Sequence, residues 1–206
     1  MTKRLILLYL GLVLYGISDA LLVRADLGVD PWDVLHQGLS LHTGLSFGTI
    51  IIVVGALVLL LWIPIRQKPG LGTISNVILI GLAADATLAL VPPLQNLPLR
   101  SGILVSAITL NGLASGMYIG AGFGPGPRDG LMTGFSSRSG LSIRLVRTSI
   151  EIAVLAIGWL LGGSVNIGTL LYALSIGPLI QIFLPIFQAP HKPPEHFSIP
   201  PAEEAN

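Results

Sequence analysis

PWDVLHQGLSLHTGLS, residues 31–46, aligns without a gap on PRDGLMTGFSSRSGLS, residues 127–142, when the chain is shifted by 96 positions over itself. Eight of the sixteen pairs are identical, where composition alone gives about one. The identities are Pro31/Pro127, Asp33/Asp129, Leu35/Leu131, Gly38/Gly134, Ser40/Ser136, Gly44/Gly140, Leu45/Leu141 and Ser46/Ser142. The same offset pairs Gly16/Gly112, Gly28/Gly124, Gly72/Gly168, Thr73/Thr169 and Gly81/Gly177. The duplication therefore covers nearly all of the apolar part of the chain.

The sequence around the repeats is that of a multi-span membrane protein. Of 206 residues, 52% are hydrophobic and 10% charged, against roughly 25% charged in a soluble domain, and the mean hydropathy is +0.81. Six apolar runs read as spans, at about residues 5–25, 46–65, 73–92, 101–122, 145–163 and 166–187, each near the length that crosses a bilayer core. With the N-terminus inside, nine of the eleven Lys and Arg residues fall on the cytoplasmic side and only Arg24 and Arg100 outside. That asymmetry orients the chain, and an even number of spans puts both termini in the cytoplasm.

Three spans per copy force the second copy to enter the membrane upside down. The expected architecture is an all-α polytopic membrane protein with six transmembrane helices in two inverted three-span repeats, residues 1–96 and 97–187. Each repeat carries a short re-entrant or interfacial helix, at 30–44 and 126–140. Residues 188–206, rich in Pro and ending with Glu203 and Glu204, read as a disordered cytoplasmic tail. The N-terminal run imitates a signal peptide, with Lys3 and Arg4 before it and Ser18-Asp19-Ala20 at its end. Because it maps onto the internal fourth span, it reads as a retained span.

Composition also excludes whole classes of function. A net charge of +1 without a basic patch leaves no footprint for nucleic acid. There is no cysteine, hence no disulfide and no thiol chemistry. His36, His42, His191 and His196 form no HExxH, and no GxSxG occurs. GFGPGPRDG, residues 122–130, lacks the GK[ST] of a nucleotide loop. The chain reads as a non-enzyme with no catalytic residue, cofactor or metal centre.

Polar residues in the repeat motifs are the candidate site. Asp30, Pro31 and Asp33 take N-cap, N1 and N3 of the first short helix, and Gly126, Pro127 and Asp129 take the same places in the second. Asp33 and Asp129 are either helix caps or groups that bind or gate a solute at half-helix N-termini. Arg128, whose counterpart is Trp32, adds a cation, and His36 stands one turn beyond Trp32. Within the spans, Asp19, Asn76, Asn111 and Asp85 are polar. Asp85, near the middle of the third span and matched by Gln181, is the candidate for coupling to protons. Arg147 and Glu151, four apart, form an intramembrane pair. Gly112, Gly116 and Gly120 make a packing ridge, for spans one and four to cross or for a homodimer, and Gly177-Pro178 is expected to break the last span.

These motifs resemble the YczE-like branch of the YczE/YyaS/YitT family of bacterial integral membrane proteins. DPWDVLHQGLS, the GPGPRDGLMTGFSSRSGLSIRLVR block and the late LGG, GT and GP carry the likeness over about residues 5–187. The resemblance implies an integral protein of the bacterial cytoplasmic membrane and supplies no binding residues to carry over. Inverted repeats themselves point to a secondary transporter or exporter of a small polar or anionic solute, with the lipid bilayer as its surroundings. The rival reading is a non-transporting scaffold or regulator of a partner protein.

Overall fold

A computed structural model describes residues 1–188, and the regular secondary structure among them is all helical. The helices are α1 (Thr2–Ala25), α2 (Pro31–Thr43), α3 (Phe47–Ile65), α4 (Leu71–Leu90), α5 (Leu97–Gly120), α6 (Pro127–Ser139), α7 (Ile143–Leu160) and α8 (Ile167–Phe187). Local chemistry sets the boundaries and repeats with the sequence. Both short helices start at a proline in N1 and stop at a left-handed glycine, Gly44 or Gly140. Ser46 and Ser142 then cap α3 and α7 by accepting the Thr49 and Leu145 amides. The short helices occupy 31–43 and 127–139, the stretches expected for them.

Six helices lie where six spans are expected. Five of them, α1, α3, α4, α5 and α8, are long and apolar enough to cross a membrane. The sixth, α7, is an 18-residue helix that carries Arg144, Arg147 and Glu151. Leu57, Leu61, Leu82, Trp159, Leu174 and Ile182 face outward, an apolar exterior suited to lipid.

α1 and α5 form the centre. The start of α1 meets the end of α5 where the Arg4 Nε donates to the Ala121 carbonyl at 2.9 Å. The end of α1 meets the start of α5 where the Arg100 Nε donates to the Ala25 carbonyl at 2.7 Å. The two helices therefore run antiparallel. Gly11 brings them together, since a Cβ there would lie 2.9 Å from the Tyr118 amide nitrogen. α4 packs on α1 and α8 on α5, whereas the short helices exchange partners, α2 packing on α7 and α6 on α3.

The exchange is reciprocal bond by bond. Gly72 N donates to Phe123 O at 2.8 Å, and Gly168 N, 96 residues on, donates to Leu27 O at 2.7 Å. These bonds hold the connectors that lead into α6 and α2. Each connector has a glycine with positive φ, Gly28 at 101° and Gly124 at 117°. A Cβ at Gly28 would meet Thr169 Oγ1 at 2.7 Å, and one at Gly124 would meet Thr73 Oγ1 at 2.9 Å, so backbone and space both demand glycine there.

Two expectations are corrected. The ridge Gly112, Gly116 and Gly120 receives Leu179, Phe183 and Phe187 of α8, not α1; its equivalent Gly16 likewise faces α4, at Ile80. The small residues admit the neighbour within their own repeat. Gly177-Pro178 does not break the last span, for α8 runs continuously from Ile167 to Phe187. Proline removes one backbone bond, but Leu179 and Phe183 seated on α5 hold the helix beyond it. The expected tail, 189–206, lies outside the described residues.

Candidate functional site

The chain between α1 and α2 turns back so that both short helices bring their N-termini to the same place. Asp30 caps α2, its Oδ1 accepting the Trp32 and Asp33 amides at 2.7 and 2.8 Å. Its Oδ2 faces Arg128, the second residue of α6, at 3.4 Å. Arg128 also donates to the hydroxyl of Tyr15 at 3.1 Å, and Tyr15 stands at mid-length of α1. The guanidinium lies 5.9 Å from the Tyr15 ring centroid and 5.6 Å from that of Trp32, within cation–π range. One residue of the second repeat is thus held by three from the first.

Beside this contact lies a cavity of about 250 Å³. Asp30, Pro31 and Trp32 line it from the first motif, and Gly126, Pro127, Arg128 and Asp129 from the second. Tyr15, Asn76, Ser115, Tyr118 and Tyr172 add polar side chains from four long helices. Arg147 and Glu151, paired at 2.9 Å, complete its charged lining. A second, smaller space of about 30 Å³ is lined by Asp19, Trp32, His36, Asn76 and Arg128, among others.

The two N-termini differ chemically. α2 has an anionic cap in Asp30, whereas Gly126 caps α6 with no side chain. A Cβ at Gly126 would stand 3.2 Å from the Tyr118 hydroxyl, 3.3 Å from Asp129 Oδ2 and 3.4 Å from Asn76 Nδ2. Asp129 does not reach back to its own cap; its Oδ2 accepts from the Tyr118 hydroxyl at 3.0 Å. Asp33 pairs with His36 Nδ1 at 3.0 Å, and its buried Oδ2 has no partner.

Behind Arg128 lies a buried acid cluster. Asp19, Asp30 and Asp33 bring carboxylate oxygens within 4.8 Å of one another, and none is more than 1% exposed. Asn111 donates to Ser18 Oγ and Asp19 Oδ1 at 2.8 and 2.9 Å and accepts from Tyr172 at 2.9 Å. Oxygens so placed are those from which a cation could be held, and Arg128 is the cation that faces them.

Of the candidates, Arg128, Asp129, Arg147 and Glu151 line the larger cavity, His36 lines the smaller one, and Asp33, paired with His36, lines neither. Asp85 lines neither. Its Oδ1 accepts the Gly48 amide at 2.7 Å and its Oδ2 the Ser46 hydroxyl, so it satisfies the start of α3. Tyr15, Tyr118 and Tyr172 are site residues that sequence reasoning missed. The offset of 96 pairs Tyr15 with Asn111, Asn76 with Tyr172 and Asp19 with Ser115. Polar character in both copies marks Tyr15 and Tyr172, whereas Tyr118 pairs with Leu22 and carries no such signal.

Residues 2–185 match a family of unknown function, DUF6198. The chain belongs to this family. A Haemophilus influenzae protein described as uncharacterised is 40% identical to this DUF6198 chain, covering 94% of it and 89% of the relative. YczE of Bacillus subtilis, described as an uncharacterised membrane protein, is 31% identical over 86% of this chain and 83% of its own. YyaS of the same organism is 27% identical, with 87% and 91% covered. No solved structure matches. The description of YczE agrees with the apolar helices: this is a multi-pass membrane protein of the YczE-like kind, in contact with the lipid bilayer.

Proposed function

We propose that this chain is a six-span secondary transporter or exporter of a small polar solute, built from two inverted repeats whose half-helices meet at the solute site. The carrying observation is that residues of both repeat motifs line one cavity. Support for inversion comes from the antiparallel run of the equivalent helices α1 and α5 and from the reciprocal bonds 96 residues apart. A pair of elements exchanging identical contacts is what a two-fold axis produces. In that frame the connectors return toward the bilayer centre and α2 and α6 run back out, non-helical backbone at membrane depth lining a cavity. Both termini of the six-span frame face the cytoplasm.

The cavity is smaller than the roughly 300 Å³ at which drug-sized sites begin, which favours a small solute. For a coupling proton, the buried cluster of Asp19, Asp30 and Asp33 replaces Asp85. Three carboxylates facing one guanidinium leave negative charge that a proton balances, and a solute drawing Arg128 away would alter that balance.

The absence of cysteine supplies the test. Single cysteines at Asn76, Ser40 and Ser136 are labelled with an impermeant thiol reagent in intact cells and in inverted vesicles. Alternating access requires Asn76→Cys to react from both sides, Ser40→Cys from outside only and Ser136→Cys from inside only. Reaction of the cavity cysteine from one side alone overturns the reading.

A further inference from the structure

We infer that the cavity selects a small zwitterion of the α-amino acid pattern, a cationic nitrogen and a carboxylate on neighbouring atoms. The inference rests on the transport reading above and names its substrate class. It follows from which lining groups are already satisfied. Arg147 is paired with Glu151, and Arg128 faces Asp30. Asp129 is then the one acid of the lining without an ion-pair partner among the described residues, its carboxylate accepting there only from the neutral Tyr118 hydroxyl. A simple anion would have to enter against that carboxylate.

The donors tell the opposite half of the story. The α6 N-terminus opens on the cavity through Gly126, Pro127, Arg128 and Asp129 and has no side-chain cap, so its first free amides lack an acceptor. Trp32, 5% exposed, lines the same cavity, and its indole N–H is buried without a partner. Trp62 shows what that group seeks, since its own Nε1 donates to Pro127 O at 3.1 Å. Asn76 Nδ2 lies beside the place a Gly126 side chain would fill. A simple cation would satisfy Asp129 and leave these donors facing nothing, a cost that buried polar groups do not escape.

A zwitterion meets both demands. Its nitrogen fits beside Asp129, with the Tyr15, Tyr118 and Tyr172 rings as apolar and π surface. Its carboxylate fits against the α6 amides and Asn76. Asp129 and the amides belong to a single helix turn, which matches charges on adjacent atoms of a solute. In the first repeat the corresponding anion is supplied by the protein itself as Asp30.

The test uses three families of probes on the purified full chain in lipid nanodiscs. Glycine, L-alanine and L-serine carry both charges; acetate, L-lactate and L-glycerate lack the nitrogen; glycinamide, L-alaninamide and L-serinamide lack the carboxylate. Binding is read by microcalorimetry. At least one amino acid should bind, with its two single-charge analogues weaker by roughly tenfold or more. Asp129→Asn should weaken the amino acid and admit the matching hydroxy acid or acetate. Binding of the nitrogen-free acids as tightly as the amino acids overturns the inference, and so does tight binding of the amides or silence from all nine. The cysteine labelling at Asn76 is independent of these probes. Two-sided access with an anion-selective cavity leaves the transport reading standing while this inference fails; one-sided access removes the reading itself.

Discussion

Arg128 stands where the two copies exchange charge beside the cavity. It is about a quarter exposed, while Asp30 is buried. Removing one partner of a buried pair costs about 3–5 kcal/mol because the other charge is stranded. The 3.4 Å separation and partial exposure place Arg128→Ala lower, at about 2–3 kcal/mol. Asp30→Asn keeps an N-cap acceptor and removes the charge. In that background Arg128→Ala should cost less than about 1 kcal/mol, and a double-mutant cycle of unfolding in detergent reads the difference. Equal costs in both backgrounds would mean that Arg128 acts through Tyr15, Trp32 and the other two acids, Asp19 and Asp33, rather than through Asp30. Arg128→Lys should recover little, since a compact ammonium lacks the planar face. At this scale the sequence was partly legible: spacing marked Arg128, Asp33 and Asp129, and Asp30 as a cap. It did not give the long-range contact between Asp30 and Arg128, 98 residues apart. For Asp85 the sequence was silent on its partners, because an isolated acid in an apolar run is the same signal whether it serves a solute or accepts, as it does, from the amide of Gly48 and the hydroxyl of Ser46.

Among the elements, the exchange of α2 and α6 rests on a swap of bulk. Trp62 of α3 fills the space over Gly130 of α6, where a Cβ would come within 2.0 Å of its ring. At the equivalent contact Gly158 of α7 lies against Val34 and Leu35 of α2, a Cβ there reaching the Leu35 amide nitrogen at 2.4 Å. Sixty-two pairs with 158 and 34 with 130, so the large residue has moved from the long helix to the short one. Gly158→Ala meets backbone and should destabilise by at least about 1–3 kcal/mol, the range of overpacked cores. Gly130→Val clashes with Trp62, and Trp62→Gly leaves a cavity. The double variant, which copies the Gly158 arrangement, should lose less than the sum by about 1–3 kcal/mol, measured again by unfolding cycles. Additive losses would sink the idea that the two contacts are one design read twice. Helix existence was legible here because periodic apolar runs, N1 prolines and terminal glycines are local signals, and α2 and α6 lie where those signals put them. Partner choice was not. A glycine ridge announces close approach without naming the neighbour, so Gly112, Gly116 and Gly120 pointed to α1 and received α8.

For the whole molecule, the duplication was the most informative feature of the sequence, because an offset needs no knowledge of contacts to be seen. What it could not convey is that the copies clasp each other, and that clasp gives the transport reading a mechanical consequence. Arg4 donates to the carbonyls of Ala121 and Gly122, holding the connector into α6; Arg100 donates to those of Ala25 and Asp26, holding the connector into α2. The Arg100 tie has an added ion pair with the Asp26 carboxylate at 2.8 Å, exposed on the acid side and therefore of modest worth. In an inverted-repeat transporter the ties lie at opposite membrane faces, and each must yield when the cavity opens toward its side. Loss of one tie should bias the molecule toward opening on that side by about 1 kcal/mol, the net worth of such a bond, or roughly a fivefold change in populations. With a reporter cysteine at Asn76, Arg100→Ala should speed labelling from outside and Arg4→Ala from inside, each by roughly that factor. A combined variant should return the ratio of the two rates toward that of the parent, since both states then lose the same restraint. Should Arg4→Ala and Arg100→Ala change labelling on the same side, the ties would be static clamps, and the alternation would have to reside in another pair of elements.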